Sequence, residues 1–159
     1  MESFFGYKSW REYDKNNNEI HYKHSNGYEY WQEYDENNNL IHYKNSDGYE
    51  YWQEFDENNN EIHFKSSNNY EYWKEYDEKN NLIHYKNSNN YEFWREFDKN
   101  NRVIYRKNSS GLECWYKYDN NNEQIEITQQ EFKQIERRKE KQELYLNIKR
   151  SSRFEIMDI

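Results

Sequence analysis

Between Tyr28 and Tyr34 the chain alternates. Tyr28, Tyr30, Gln32 and Tyr34 fall on one parity, and Glu29, Trp31 and Glu33 on the other. A period of two, rich in strand-favouring aromatics, predicts a β-strand. Leu40 to Lys44 predicts a second, shorter one. Asp35-Glu36-Asn37-Asn38-Asn39 between them is turn chemistry, because Asp caps its own backbone and Asn tolerates a left-handed residue. The expectation is a type I turn with Asn38 left-handed, followed by a bulge. Asn45-Ser46-Asp47-Gly48 forms the return turn, so Gly27 to Asp47 reads as one β-hairpin.

The hairpin recurs. Trp10, Trp31, Trp52, Trp73, Trp94 and Trp115 are spaced by 21, and Asp14, Asp35, Asp56, Asp77, Asp98 and Asp119 keep the same step. So do Ile20, Ile41, Ile62, Ile83, Ile104 and Ile125. Repeats of this length mean an array whose units bury their apolar faces against one another. The fold class expected is all-β: six tandem 21-residue hairpins, about twelve strands, in a twisted antiparallel meander over residues 1–127. The chain contains no proline, so no strand lacks an amide donor.

Residues 128–159 differ in kind. Thr128-Gln129-Gln130-Glu131 is a capping box, with Phe132 and Ile135 following at helical spacing. Arg137, Arg138, Lys139 and Lys141 are basic, interleaved with Glu136, Glu140 and Glu143. Leu144, Leu146 and Ile148 alternate as a strand would, Arg150 to Arg153 reads as a turn, and Phe154 and Ile156 suggest a last strand. The tail is expected to be a short α+β cap over the open edge of the array, or a docking element.

Tyr-Asp-x-Asn-Asn-Asn-Leu, followed after the second strand by Asn-Ser-Asp-Gly, resembles the YD repeat of Rhs and teneurin-type proteins. The resemblance covers Gly6 to about Ile127. It implies one hairpin per repeat, coiling into a continuous sheet, and in Rhs proteins very long arrays form a shell around a toxin. The family's turn glycine is replaced here by Asn17, Asn38, Asn59, Asn80, Asn101 and Asn122, and six copies are too few to enclose a cargo. The shell role is therefore not carried over. The chain also resembles choline-binding and related cell-wall-binding aromatic repeats. Those use fixed turn glycines, whereas only Gly6, Gly27, Gly48 and Gly111 occur here.

With a three-residue turn, Tyr34 would pair with Leu40, Gln32 with His42, and Trp31 with Tyr43. One face would then present Trp31, Ile41 and Tyr43 flanked by Glu29 and Glu33. The other would present Tyr28, Tyr30, Tyr34, His42 and Lys44. A slip of one residue would reassign the second strand. A single-layer sheet leaves one aromatic face open, and aromatic surface of that extent marks an interaction site. Tyrosine suits such contacts because it gives large area at small entropic cost. The partner-binding residues expected are Tyr28, Tyr30, Tyr49, Tyr51, Tyr70, Tyr72, Tyr91 and Phe93.

Composition narrows the chemistry. The chain carries 18 tyrosines and a net charge of −8, with 15 Lys/Arg against 25 Asp/Glu in residues 1–127. Such acidity disfavours direct nucleic-acid binding and suits a basic protein partner. His21, His42, His63 and His84 form a ladder, but equivalent residues lie about 9–10 Å apart across two strands. Zinc ligands must converge to about 2 Å from one centre, so no metal or other cofactor is expected. Glu33, Glu54, Glu75 and Glu96 are one position copied, and catalytic pairs need unlike environments. No nucleophile or phosphate-loop motif occurs, so no catalytic residue is assigned and the chain is read as non-enzymatic. Cys114 has no internal disulfide partner and fills a slot held elsewhere by Tyr or Phe. No secretion signal or membrane-length apolar run is present, and the expected compartment is cytoplasmic.

These readings converge on a binding module. It would be an acidic inhibitor or immunity factor, anti-CRISPR-like, blocking the basic groove of a nucleic-acid enzyme or a toxin. The alternative class is an aromatic binder of carbohydrate or cell-wall ligands. The sequence sets no oligomeric state.

Overall fold

The computed structural model describes residues 8–154, and side chains over residues 8–147. Gly6 and Ile156 lie outside the described residues. Odd-numbered strands are β1 Ser9–Tyr13, β3 Glu29–Tyr34, β5 Glu50–Phe55, β7 Glu71–Tyr76, β9 Glu92–Phe97 and β11 Glu113–Tyr118. They alternate with β2 Glu19–His24, β4 Leu40–Asn45, β6 Glu61–Ser66, β8 Leu82–Asn87, β10 Val103–Asn108 and β12 Gln124–Ile127. All twelve follow chain order in one antiparallel sheet, and a single helix, α1 Gln129–Phe154, ends the described chain. This is the expected all-β hairpin meander with a helical cap. By contacts the chain divides into unit 1, Met1–Arg95 with Asn108–Ser110, and unit 2, Glu96–Lys107 with Gly111–Ile159.

The turns form because Asp and Asn satisfy the backbone locally. Asn38 N–H donates to Asp35 O at 3.2 Å, and Asp35 Oδ1 accepts from the N–H groups of Asn37 and Asn39 at 2.9 and 2.8 Å. Asn38 has φ 65°, and Asn17, Asn59, Asn80, Asn101 and Asn122 share the left-handed conformation, as expected. The return turns do the same at Gly27, Gly48, Asn69, Asn90 and Gly111.

A bulge follows the longer turn in hairpins β1–β2, β3–β4, β5–β6 and β7–β8 and decides the faces there, whereas β11 and β12 pair without one. Tyr34 pairs with Leu40, as anticipated, but Glu33 then pairs with His42, Gln32 with Tyr43 and Trp31 with Lys44. Ile41 is the extra residue, and every pairing beyond it moves by one. The expected pairs Gln32–His42 and Trp31–Tyr43 are therefore corrected. His42 and Lys44 belong with Trp31, while Tyr43 joins Tyr30 and Tyr34. The turn alone sets the Tyr34–Leu40 pair, and the bulge that follows sets every later one.

In unit 1 the described residues form no apolar core; only Ser66 is buried. Cross-strand ring pairs, each about 0.5–1.5 kcal/mol beyond area burial, and ladder hydrogen bonds hold it instead. Side chains also tie turn to turn. Asn18 Nδ2 donates to Asn38 Oδ1 at 2.8 Å, Asn39 Nδ2 to Asn59 Oδ1 at 3.0 Å, and Asn60 Nδ2 to Asn80 Oδ1 at 2.9 Å. At the return turns Ser46 N–H donates to Glu29 O at 2.8 Å, and Glu29 N–H to Ser46 Oγ at 3.1 Å. Ser67 with Glu50 and Ser88 with Glu71 repeat the motif.

Unit 2 does contain a core. Cys114, Tyr116 and Ile127 are buried, and α1 packs on β11. The capping box starts the helix: Glu131 N–H donates to Thr128 Oγ1 at 3.2 Å, and Thr128 N–H to Glu131 Oε2 at 2.9 Å. The strand expected at Leu144, Leu146 and Ile148, the turn at Arg150 to Arg153 and the strand start at Phe154 are not formed; α1 runs through them. Glu, Gln, Lys and Arg favour helix, no Gly or Pro stops it, and a growing helix adds one bond per residue fixed.

Candidate interaction surfaces

Unit 1 offers two aromatic faces of opposite character. On the tyrosine face the rings form a continuous ladder. Tyr22 stacks on Tyr30 at 5.0 Å, Tyr30 meets Tyr43 at 5.7 Å, and Tyr43 stacks on Tyr51 at 5.2 Å. Tyr51, Phe64, Tyr72, Tyr85 and Phe93 continue it at 5.0–5.7 Å. Tyr28, Tyr49, Tyr70 and Tyr91 line a rim beside this ladder, against Tyr30, Tyr51, Tyr72 and Phe93. The structure thus brings all eight expected contact residues onto one face.

Their surroundings differ. Tyr28 Oη lies 3.0 Å from Tyr43 Oη, and Tyr70 Oη 3.0 Å from Tyr85 Oη. By repeat position the partner of Tyr49 would be Phe64, which has no hydroxyl, and Tyr49 is 39% exposed. Tyr91 is 44% exposed. In the ladder, Tyr30 donates to Glu19 and Tyr72 to Glu61. Burial and the adjacent carboxylate both raise the pKa of these two phenols, and burial with the Tyr28 contact pushes Tyr43 up to about 12. Cations lie over the rings: Arg11 over Tyr22 at 4.9 Å, Lys74 over Tyr72 at 4.7 Å and Arg95 over Phe93 at 4.4 Å.

The tryptophan face carries the acidity. His42 is held between Glu33 Oε1, 3.1 Å from Nδ1, and Glu50 Oε1, 2.9 Å from Nε2, while its ring stacks on Trp52 at 5.2 Å. His63 repeats this with Glu54, Glu71 and Trp73, and His84 with Glu75, Glu92 and Trp94. Burial pulls each imidazole pKa down, but two carboxylate hydrogen bonds outweigh it and hold His42, His63 and His84 above the ordinary value. The ladder of histidines was visible in the sequence. The carboxylate clamp was not, because it depends on the register that the bulge sets.

In unit 2 the tyrosine face is occupied. Phe132 and Ile135 of α1 line a cavity of about 180 Å³ with Ile104, Tyr116 and Tyr118. Ile104 therefore faces the tyrosine side, against the expectation that the repeated isoleucine accompanies tryptophan, whereas Ile125, paired with Lys117 in the bulge-free last hairpin, does lie with Trp115. Arg102 lies 4.1 Å over the Tyr118 ring and pairs with Asp98 at 2.6 Å. The histidine slot becomes Tyr105, whose hydroxyl donates to Glu113 at 2.8 Å.

No family model matches the chain, and no curated protein does. Among solved structures it is similar to TcdB2-TccC3-TEV and TcdB2-TccC3-Cdc42, each at 17% identity and TM-score 0.58, covering 75% of this chain. A third, TcdB2-TccC3, gives 17% identity and TM-score 0.57 over the same share. The chain spans only 7% of the length of those chains. The likeness is one of fold: it accords with a YD-repeat-like structure and with a tandem β-hairpin repeat module. No helix among the described residues is long and apolar enough to cross a membrane.

Proposed function

We propose that the chain is a non-catalytic protein-binding module that seats its partner on the tyrosine face of unit 1. The exposed rim of Tyr49 and Tyr91, beside a preformed ring ladder, carries this reading. Rings already stacked on neighbours lose little freedom on binding, so large contact area comes at small entropic cost. The same stacking disfavours a carbohydrate ligand, since a sugar needs an open ring face and these rings spend theirs on one another. Such a module acts by covering a surface of its partner, as an inhibitor does. A reducing cytoplasm suits it, because Cys114 is buried and unpaired.

The test is affinity capture from source-cell extract with the parent chain and with Tyr49→Ser, Tyr70→Ser, Tyr91→Ser combined. These changes leave the ladder stacking in place but remove the rim contacts, so Tm should fall while the strand signal in circular dichroism persists at the capture temperature. A protein captured by the parent and lost from the variant is the expected result. Equal capture by both overturns the tyrosine-face reading.

A further inference from the structure

The uncompensated negative charge of unit 1 lies on its tryptophan face, whereas Glu19 and Glu61 on the tyrosine face pair with Arg11 and Lys74. On the tryptophan side Glu33 and Glu50 flank one imidazole, Glu54 and Glu71 the next, and Glu75 and Glu92 the third. Lys44, Lys65 and Lys86 supply one cation per repeat there, so each repeat is net negative while its histidine is neutral. On the tyrosine side the central slot holds Gln32, Gln53, Lys74 and Arg95, which is neutral to basic. The outer glutamates Glu33, Glu54 and Glu75 are 67–68% exposed at the side chain. Trp31, Trp52 and Trp73 stand beside them at 39–41% exposure. One face of each indole is closed by a histidine, which leaves the indole edges and the carboxylates to solvent.

We infer that this tryptophan face is a docking surface for an extended, basic segment of a partner protein, with Lys or Arg at every third residue. Charge complementarity selects a cationic occupant, and the period selects its conformation. Equivalent glutamates lie two strands apart, about 9.5 Å. A polyproline II segment advances about 9.3 Å in three residues and points every third side chain the same way. A β-strand repeats its facing side chain every ~6.7 Å. An α-helix repeats after seven residues, about 10.5 Å, and slips by about 1 Å at each repeat. Only the first keeps its cations in step with successive glutamates.

The imidazoles compete for the same carboxylates. His42 meets Glu33 from β3 and Glu50 and Trp52 from β5, with Lys44 on its own strand. Protonating it cancels the net charge of its repeat, so the partner binds best when the histidines are neutral. This surface is distinct from the tyrosine face, and its failure would leave that reading standing.

The experiment titrates the full chain with a fluorescent peptide of four Arg-Pro-Pro triplets at pH 8.5 and low salt. The control peptide has the same composition with its arginines contiguous. The spaced peptide should bind about tenfold tighter than the contiguous one, and Glu33→Gln, Glu54→Gln, Glu75→Gln combined should weaken it by about tenfold. Binding should weaken as pH falls from 8.5 to 6, and His42→Gln, His63→Gln, His84→Gln combined should flatten that dependence. Equal affinity for the two peptides on the unaltered chain overturns the proposal, whatever the variants do. Unchanged affinity in a folded glutamate variant also overturns it, and a pH-independent parent chain removes the role of the imidazoles.

Discussion

On the tyrosine side the last repeat departs from its predecessors at several slots, Leu112 replacing a rim tyrosine and Arg106 a ladder ring, and two further slots set the contrast. In unit 1 those slots hold Tyr51 with Gln53, or Tyr72 with Lys74; in unit 2 they hold Cys114 with Tyr116. Cys114 and Tyr116 are 5% and 7% exposed, whereas none of the other four is buried. Cys114 lies against Arg106, and replacing the central polar residue with tyrosine gives the helix something apolar to cover. A hairpin of this kind thus serves as an open, wetted ladder or, with these exchanges and without the bulge, as one wall of a core. Gln, Lys and Arg at the central slot keep the open version soluble without breaking the ladder.

Four measurements would break or sharpen this contrast. Tyr116→Gln converts the covered repeat to the open kind, and should cost about 3–4 kcal/mol in unit 2 by denaturant unfolding, with loss of helical signal at 222 nm. The reverse change, Gln53→Tyr, should fall within about 0.5 kcal/mol because nothing covers it. A melting curve that responds equally to both would erase the distinction. Turns, in contrast, should behave alike in both units. Asn59→Val and Asn122→Val should each cost about 1–2 kcal/mol, while glycine at either place should stay within about 0.5 kcal/mol, its ease in the left-handed region offsetting the lost side-chain hydrogen bond. Thr128→Ala should cost about 1 kcal/mol and shorten α1, leaving the Tm of unit 1 unmoved.

The smallest effect is in pH. His42, His63 and His84 have folded pKa values above the ordinary 6.5. Their stabilisation is complete below that value and is lost as pH rises through the raised one. Unit 2 has Tyr105 and Glu126 in the histidine slot and should show no such loss. Thermal melts between pH 5.5 and 9, followed by tryptophan fluorescence and by helical dichroism, would separate the two responses.

Local chemistry was legible in the sequence and register was not. Asp35 and Asn38 announce their turn because the hydrogen bonds that make it lie within five residues. The capping box at Thr128 and Glu131 is legible for the same reason. Ile41 shows the limit. Nothing in its identity says which of two adjacent residues goes unpaired, yet that choice moved His42 and Lys44 to one face and Tyr43 to the other. The expected contact tyrosines came out together since seven of the eight precede a bulge by parity on the first strand or its approach, and Phe93 shares that place. Glu29 and Glu33 stay with Trp31, opposite Tyr30, as their parity on the first strand predicts. Leu144, Leu146 and Ile148 misled because alternation marks a strand only where another strand is available to pair with it.

The stitched turns make the array a ruler. Asn39 reaches the next turn with the bond that Asn60 uses one graduation further on, and Ser46 and Ser67 do likewise at the opposite margin. Gaining or losing 21 residues in the gene therefore changes the length without inventing a new joint. Length becomes a heritable dial: a lineage can match the reach of its protein to a longer or shorter target by copying a segment, and no residue elsewhere has to be re-optimised.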